Sequence, residues 1–152
     1  MAAEPGPMRL ALTDAPPAAD VDLVRDGLNA ANARFAANDA DREVAVFLQD
    51  DVGRTRGGLV AATFWGWLHV DLLWVEEGLR GEGWGSRLLA AAEAEALARG
   101  CRAAILSTLS FQAPDFYRRH GYVVAGEIPD MPPGHRRLYM TKMLGGADGD
   151  ER

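Results

Sequence analysis

The residues best placed to do chemistry lie in the stretch Leu73-Trp74-Val75-Glu76-Glu77-Gly78-Leu79-Arg80-Gly81-Glu82-Gly83-Trp84-Gly85-Ser86-Arg87. Its types read as a strand end, a glycine-rich turn and a helix start. Glycines at alternate positions, Gly81, Gly83 and Gly85, let the backbone approach a ligand closely. The first amides of the following helix, together with its dipole, favour phosphate. A diphosphate fits such a cradle. Glycines also serve ordinary strand-to-helix turns, so the flanking residues must decide. No Gly-Lys-Ser or Gly-Lys-Thr closes the loop, which excludes a Walker phosphate loop, and Ser86 stands where a dinucleotide fingerprint has its third glycine.

Arg80, Gly83 and Gly85 fit the pattern Arg-x-x-Gly-x-Gly, and in this the chain resembles the GNAT family of N-acetyltransferases, whose acetyl-CoA signature has that form. The later segment Phe116-Tyr117-Arg118-Arg119-His120-Gly121-Tyr122 is similar to the same family's tyrosine-bearing helix end and the strand after it. Two motifs in the right order are far more specific than either alone. The resemblance covers about Met8 to Leu144. It implies transfer of the acetyl group of acetyl-CoA, as cosubstrate, to a primary amine of a small molecule by direct attack. It further implies that the backbone around Leu73, Trp74 and Val75 pairs with the pantetheine arm, and that Arg80, Gly81, Glu82, Gly83, Trp84, Gly85 and Ser86 hold the diphosphate. Acetylation of a protein N-terminus or lysine, and a catalytically silent acyl-CoA sensor, are the alternatives. The chain departs from the family at Ser110, where an asparagine often stands seven residues before the tyrosine.

An alkylamine with a pKa near ~10 is mostly protonated at neutral pH and needs a base or a water relay before it can attack. The candidates are His69 and Asp71, on the strand preceding the loop. Strand alternation from Trp67 to Val75 places His69, Asp71, Leu73 and Val75 on one face and Leu68, Val70, Leu72 and Trp74 on the other. The polar pair is therefore expected on the face that meets the cofactor. Tyr117 is the candidate acid for the departing CoA thiolate, the role its place in the family motif implies. Each of these residues has a plainer reading as well. Asp71 would serve a turn or a neighbouring arginine, His69 would be a partly exposed histidine, and Tyr117 would be a core residue at a helix end.

The elements that must position these groups follow from periodicity and breakers. Strands are expected over Met8 to Thr13, Val44 to Gln49, a segment ending at Phe64, Trp67 to Val75, Ala103 to Thr108, Tyr122 to Glu127 and His135 to Leu144. Helices are expected after an N-cap at Asp20, from about Gly83 to Arg99 with Gly100 as the stop, and over Ala113 to His120. The pattern is an α/β fold, α+β in its mixing, with a central mixed, mostly antiparallel sheet flanked by helices, for which the family resemblance supplies the topology. Residues 1–7 read as a flexible start, 8–144 as one acetyltransferase domain and 145–152 as a solvated acidic tail.

Composition narrows the function classes. The 152 residues are 48% hydrophobic and 25% charged, as expected of one globular domain. A net charge of -6 disfavours nucleic acid and suits a cationic acceptor, so a phosphate site must be locally positive. No apolar run approaches the ~20 residues that span a bilayer, and the N-terminus has no signal-peptide pattern, so a cytoplasmic location is expected. Cys101 is the one cysteine, excluding an internal disulfide, and the three histidines show no metal-ligand spacing with it, so no metal is expected. Some members of the family the chain resembles pair through their C-terminal strands, so the resemblance implies a homodimer edge at His135 to Leu144, the alternative being an edge protected within the monomer.

Overall fold

The computed structural model describes residues 2–37 and 41–145. The chain divides into two compact units, Met1–Asn38 and Asp39–Arg152. In the first, the α-helix α1 spans Ala18–Asn32. Its N-cap is Pro17, in extended conformation, and not Asp20 as expected from sequence. Asp20 lies in the first turn, where a carboxylate opposes the positive end of the helix dipole. The strand expected from Met8 to Thr13 does not form. Its alternation is real, but a strand persists only where a neighbour completes its hydrogen-bond ladder.

The second unit is built on a six-stranded sheet of order β1-β2-β3-β4-β6-β5. The strands are β1 Arg42–Gln49, β2 Thr55–Phe64, β3 Trp67–Val75, β4 Ala103–Leu109, β5 Val123–Pro129 and β6 Arg136–Met143. Only β3 and β4 run parallel, so the sheet is mixed and mostly antiparallel. Among the described residues, two α-helices, α2 over Trp84–Ala98 and α3 over Pro114–Arg119, and a 3-10 turn over Glu77–Leu79 complete the unit. The expected α2 and β3 bounds are reproduced to within a residue. The C-terminal strand β6 pairs with β4 on one side and β5 on the other, so it cannot be a sheet edge. That correction moves any edge to β1 or β5. The tail expected from residue 145 lies outside the described residues beyond Gly145. None of the described helices is long and apolar enough to cross a membrane.

The apolar face of α2 places Leu88, Leu89, Ala92 and Ala96 against β1, β2 and β3. Opposite them, Val44, Leu59, Ala61 and Leu68 complete the buried cluster, joined by Leu106, Leu138, Met140 and Tyr122. Each large side chain so buried is worth roughly 1.5–3 kcal/mol. The Arg99 guanidinium fastens the end of α2 to the sheet by donating to the carbonyls of Arg42 and Glu43 and to Thr63 Oγ1. Gly100, at φ +85°, then turns the chain into β4. The C-terminal end of α2 is thus held to the sheet.

The face assignment expected for β3 is corrected by a β-bulge. Val60 is in register with Leu72 and Ala61 with Val70, so Asp71 is an extra residue with no partner on β2. Before the bulge Leu68 and Val70 face the core, and after it Leu73 and Val75 do. His69 therefore lies on the opposite face from Leu73 and Val75, alongside Leu72 and Trp74. One inserted residue reverses which parity of the strand points inward.

Candidate active site

The same strand opens a groove. β3 and β4 are in register at Trp67 with Ala103, Leu68 with Ala104 and His69 with Ile105, and at no later position. Beyond them the backbone of Val70 to Val75 has no β4 partner. The resulting cleft of about 620 Å³ is walled by Asp71 to Val75 on one side and Leu106, Ser107 and Thr108 on the other, and closed by Gln112, Ala113 and Tyr117. A bulge bends its strand, and this one lies two residues past the last β3–β4 pair. An unpaired strand edge inside a cleft offers backbone donors and acceptors to an extended ligand with amide groups.

At one end this groove meets the glycine loop. Leu73, Trp74, Val75, Arg80, Ala113 and Tyr117 are shared with a second cleft of about 440 Å³, whose floor is Gly81, Gly83, Trp84, Gly85 and Ser86. Gly83 caps α2 at φ +85°, a left-handed conformation that glycine adopts without strain. Arg87 N–H bonds the carbonyl of Gly83, so the amides of Trp84, Gly85 and Ser86 precede the first intrahelical bond. No side chain caps this helix. Three amides and the helix dipole therefore face the cleft. Arg80 stands between the two clefts with Nε donating to the Val75 carbonyl at 2.9 Å. Arg119 lines the loop cleft as well.

Glu82 is the one expected loop residue outside this wall. Its carboxylate accepts from Trp84 Nε1 at 3.1 Å, and the Arg87 guanidinium covers the same indole at 4.5 Å. A Cβ on Gly83 would meet open space, whereas one on Gly85 would stand at contact distance, 3.4 Å, from the Phe116 ring. Ser86 Oγ and His120 Nε2 share a hydrogen bond of 2.9 Å.

At its other end the groove meets a third cleft of about 920 Å³ on the far side of the sheet from α2. Val70, Asp71, Leu106 and Ser107 line both. This cleft is walled further by Asp41, Glu43, Phe64, His69 and Tyr139. The His69 ring stacks on Phe64, with centroids 3.8 Å apart. Burial lowers the His69 pKa below its ordinary value, partly countered by the nearby Asp41 carboxylate. His69 is thus neutral, with a lone pair free to accept a proton, at neutral pH. Asp71 is exposed beside it.

Tyr117 is buried, 8% exposed, on the short helix α3. Its ring sits between Phe116 and Tyr122. Burial raises its pKa, so the phenol keeps its proton. The structure brings Tyr117 to the loop cleft and the groove, while His69 lies on the third cleft alone and Asp71 at the junction.

Several of the wall residues were not legible in advance. Ser107 and Ala113 enter through tertiary contacts that leave no local pattern. Asp41 and Glu43 had a signal, a period-two alternation with Val44 and Val46 inward on β1. Ser110, noted as a departure from the family pattern, bonds the strand β6: its Oγ accepts from the Arg136 amide at 3.0 Å. Phe111 packs edge-on against His135, and Arg118 pairs with Asp115. Cys101 is buried in the core and lines none of the three clefts.

The comparisons agree with this architecture. The acetyltransferase (GNAT) domain matches residues 35–124. The chain is 53% identical over 101 residues to the blasticidin-S acetyltransferase of Streptomyces morookaense, covering 66% of this chain and 74% of that protein. It is 37% identical to an acetyltransferase of Agrobacterium fabrum over 89% of this chain and 98% of the relative. The crystal structure of an acetyltransferase from Bacillus cereus superposes with a TM-score of 0.79 at 31% identity, covering 88% of this chain and 98% of that one.

Proposed function

Since the chain belongs to the acetyltransferase (GNAT) family and is an acetyltransferase, we propose that it moves the acetyl group of acetyl-CoA to a primary amine of a small cationic molecule by direct attack. The observation that carries this reading is continuity. The loop cleft, the β3–β4 groove and the large cleft share wall residues in turn, forming one trough from anion cradle to acidic chamber. A diphosphate in the cradle sends the pantetheine arm along the free edge of β3, and the thioester reaches the junction of Val70, Asp71, Leu106 and Ser107.

The amine enters from the large cleft, whose walls carry Asp41, Glu43 and Asp71 and, among the described residues, no lysine or arginine. Such a chamber concentrates cations. His69 or Asp71 takes the proton of the ammonium, directly or through water, and the amine nitrogen attacks the thioester carbonyl carbon. The carbon–sulfur bond then breaks, and Tyr117 gives its proton to the CoA thiolate. The reference pKa values, ~10 for a phenol and ~8.5 for a thiol, make this transfer uphill by about 2 kcal/mol, and burial of Tyr117 adds to that, so the proton moves as the carbon–sulfur bond breaks and charge gathers on sulfur. The relative named for blasticidin S supports a small-molecule acceptor and makes blasticidin S the first amine to try.

The test is mass spectrometry of reactions holding acetyl-CoA and blasticidin S, polyamines, aminoglycosides or short peptides. The reading expects a gain of one acetyl group on a small cationic amine. Acetylation of peptides alone would refute the small-molecule acceptor.

A further inference from the structure

The hydrogen bond between Ser86 and His120 spans 34 residues of sequence and joins the phosphate loop to the segment that carries Tyr117. Ser86 is the third residue of α2 and lines the loop cleft. Its hydroxyl has one proton to give. If His120 Nε2 accepts that proton's hydrogen bond, only oxygen lone pairs are left to face an anion. If Nε2 carries a hydrogen and donates, the Ser86 proton is free for a phosphate oxygen. Anion binding therefore selects the donating form of His120.

The surrounding packing holds the imidazole in place. His120 follows the last residue of α3, and its amide bonds the Tyr117 carbonyl at 3.0 Å. Its ring lies 4.7 Å from that of Phe116, which in turn fills the space beside Gly85. Gly85 and Ser86 on the loop thus meet Phe116 and His120 on α3, as two adjacent contacts.

We infer that His120 is a positioning residue that holds the Ser86 hydroxyl ready to donate to the diphosphate, and so fastens α3 and Tyr117 to an occupied cradle. The inference rests on the reading of the cradle as the diphosphate site of acetyl-CoA. It names His120, which does not line the cleft, as a determinant of cofactor affinity.

The test compares binding of CoA, by calorimetry, with binding of pantetheine, which lacks the diphosphate, by ligand-observed NMR. The proteins are the wild type, Ser86→Ala, His120→Ala and His120→Gln, each checked for an unchanged melting temperature. The inference expects His120→Ala and Ser86→Ala to weaken CoA by about tenfold or more, as for a lost hydrogen bond to a charged group. Pantetheine binding should be unchanged, and His120→Gln, whose amide donates from a similar position, should recover most of the CoA affinity. Equal losses for CoA and pantetheine would reduce His120 to a structural role and overturn the inference. So would wild-type CoA affinity in His120→Ala. Failure of the wild type to bind CoA at all would remove the reading of the cradle, and the inference with it; CoA binding without the selective loss removes the inference alone.

Discussion

His69 and Ile105 are the last residues in register between the two parallel strands of the sheet, and past this pair β3 and β4 part. The separation leaves six residues of β3, Val70 to Val75, without a β4 partner, with the Asp71 bulge two residues beyond the pair. The groove, the glycine loop and the acidic chamber are all arranged from that point.

The two helix-start glycines should separate stability from binding. Gly83→Ala places a side chain on a residue at φ +85° and is expected to cost ~1–2 kcal/mol, read as a lower melting temperature, together with CoA affinity. Gly85→Ala has an ordinary backbone and a Cβ at contact distance from Phe116. Its stability should stay within about 1 kcal/mol of wild type while CoA affinity falls. Calorimetry and thermal melts on the pair distinguish the two effects.

Tyr117→Phe keeps the ring among Phe116 and Tyr122 and removes only the proton donor. CoA should bind within about twofold of wild type, while the rate of transfer at saturating acetyl-CoA falls roughly 10²-fold, the lower range for acid catalysis. An unchanged rate would leave Tyr117 as a packing residue.

The depressed pKa of His69 fixes the direction of a pH effect. Imidazolium cannot accept the ammonium proton, so activity that depends on His69 is lost as pH falls through its folded value. That value lies below the ordinary ~6.5 because burial disfavours the charged form. In kcat, measured with a saturating acceptor, an acid limb centred below pH 6.5 is expected, and it should vanish in His69→Gln. A limb that persists unchanged in the variant would assign it to another group.

The order of elements was largely legible, because apolar runs bounded by turn residues mark the strands and α2 runs from a glycine turn to a glycine stop. What was not legible has one physical cause in each case. A bulge reverses the inward parity within one strand and no residue type marks it, so period-two alternation puts His69 on the face of Leu73 and Val75 although it lies opposite them. Met8 to Thr13 has strand periodicity but no ladder to join. The C-terminal strand looks like an edge in sequence because nothing there shows that β5 pairs beyond it. The glycine loop was visible because backbone conformation demands particular residues, whereas Ser86 and His120 meet only through the fold.

Core packing supports the site at a distance. Leu68 is fully buried one residue before His69, facing α2. Leu68→Ala should cost about 2–5 kcal/mol of stability by chemical denaturation, with the CoA affinity of the remaining folded protein little changed.

The most direct test of the account is a crystal structure with CoA bound. The account predicts the diphosphate on the amides of Trp84, Gly85 and Ser86, the pantetheine along Val70 to Val75, and the sulfur at the junction of Val70, Asp71, Leu106 and Ser107. CoA bound with its sulfur away from that junction, or with its diphosphate off the glycine loop, would contradict it.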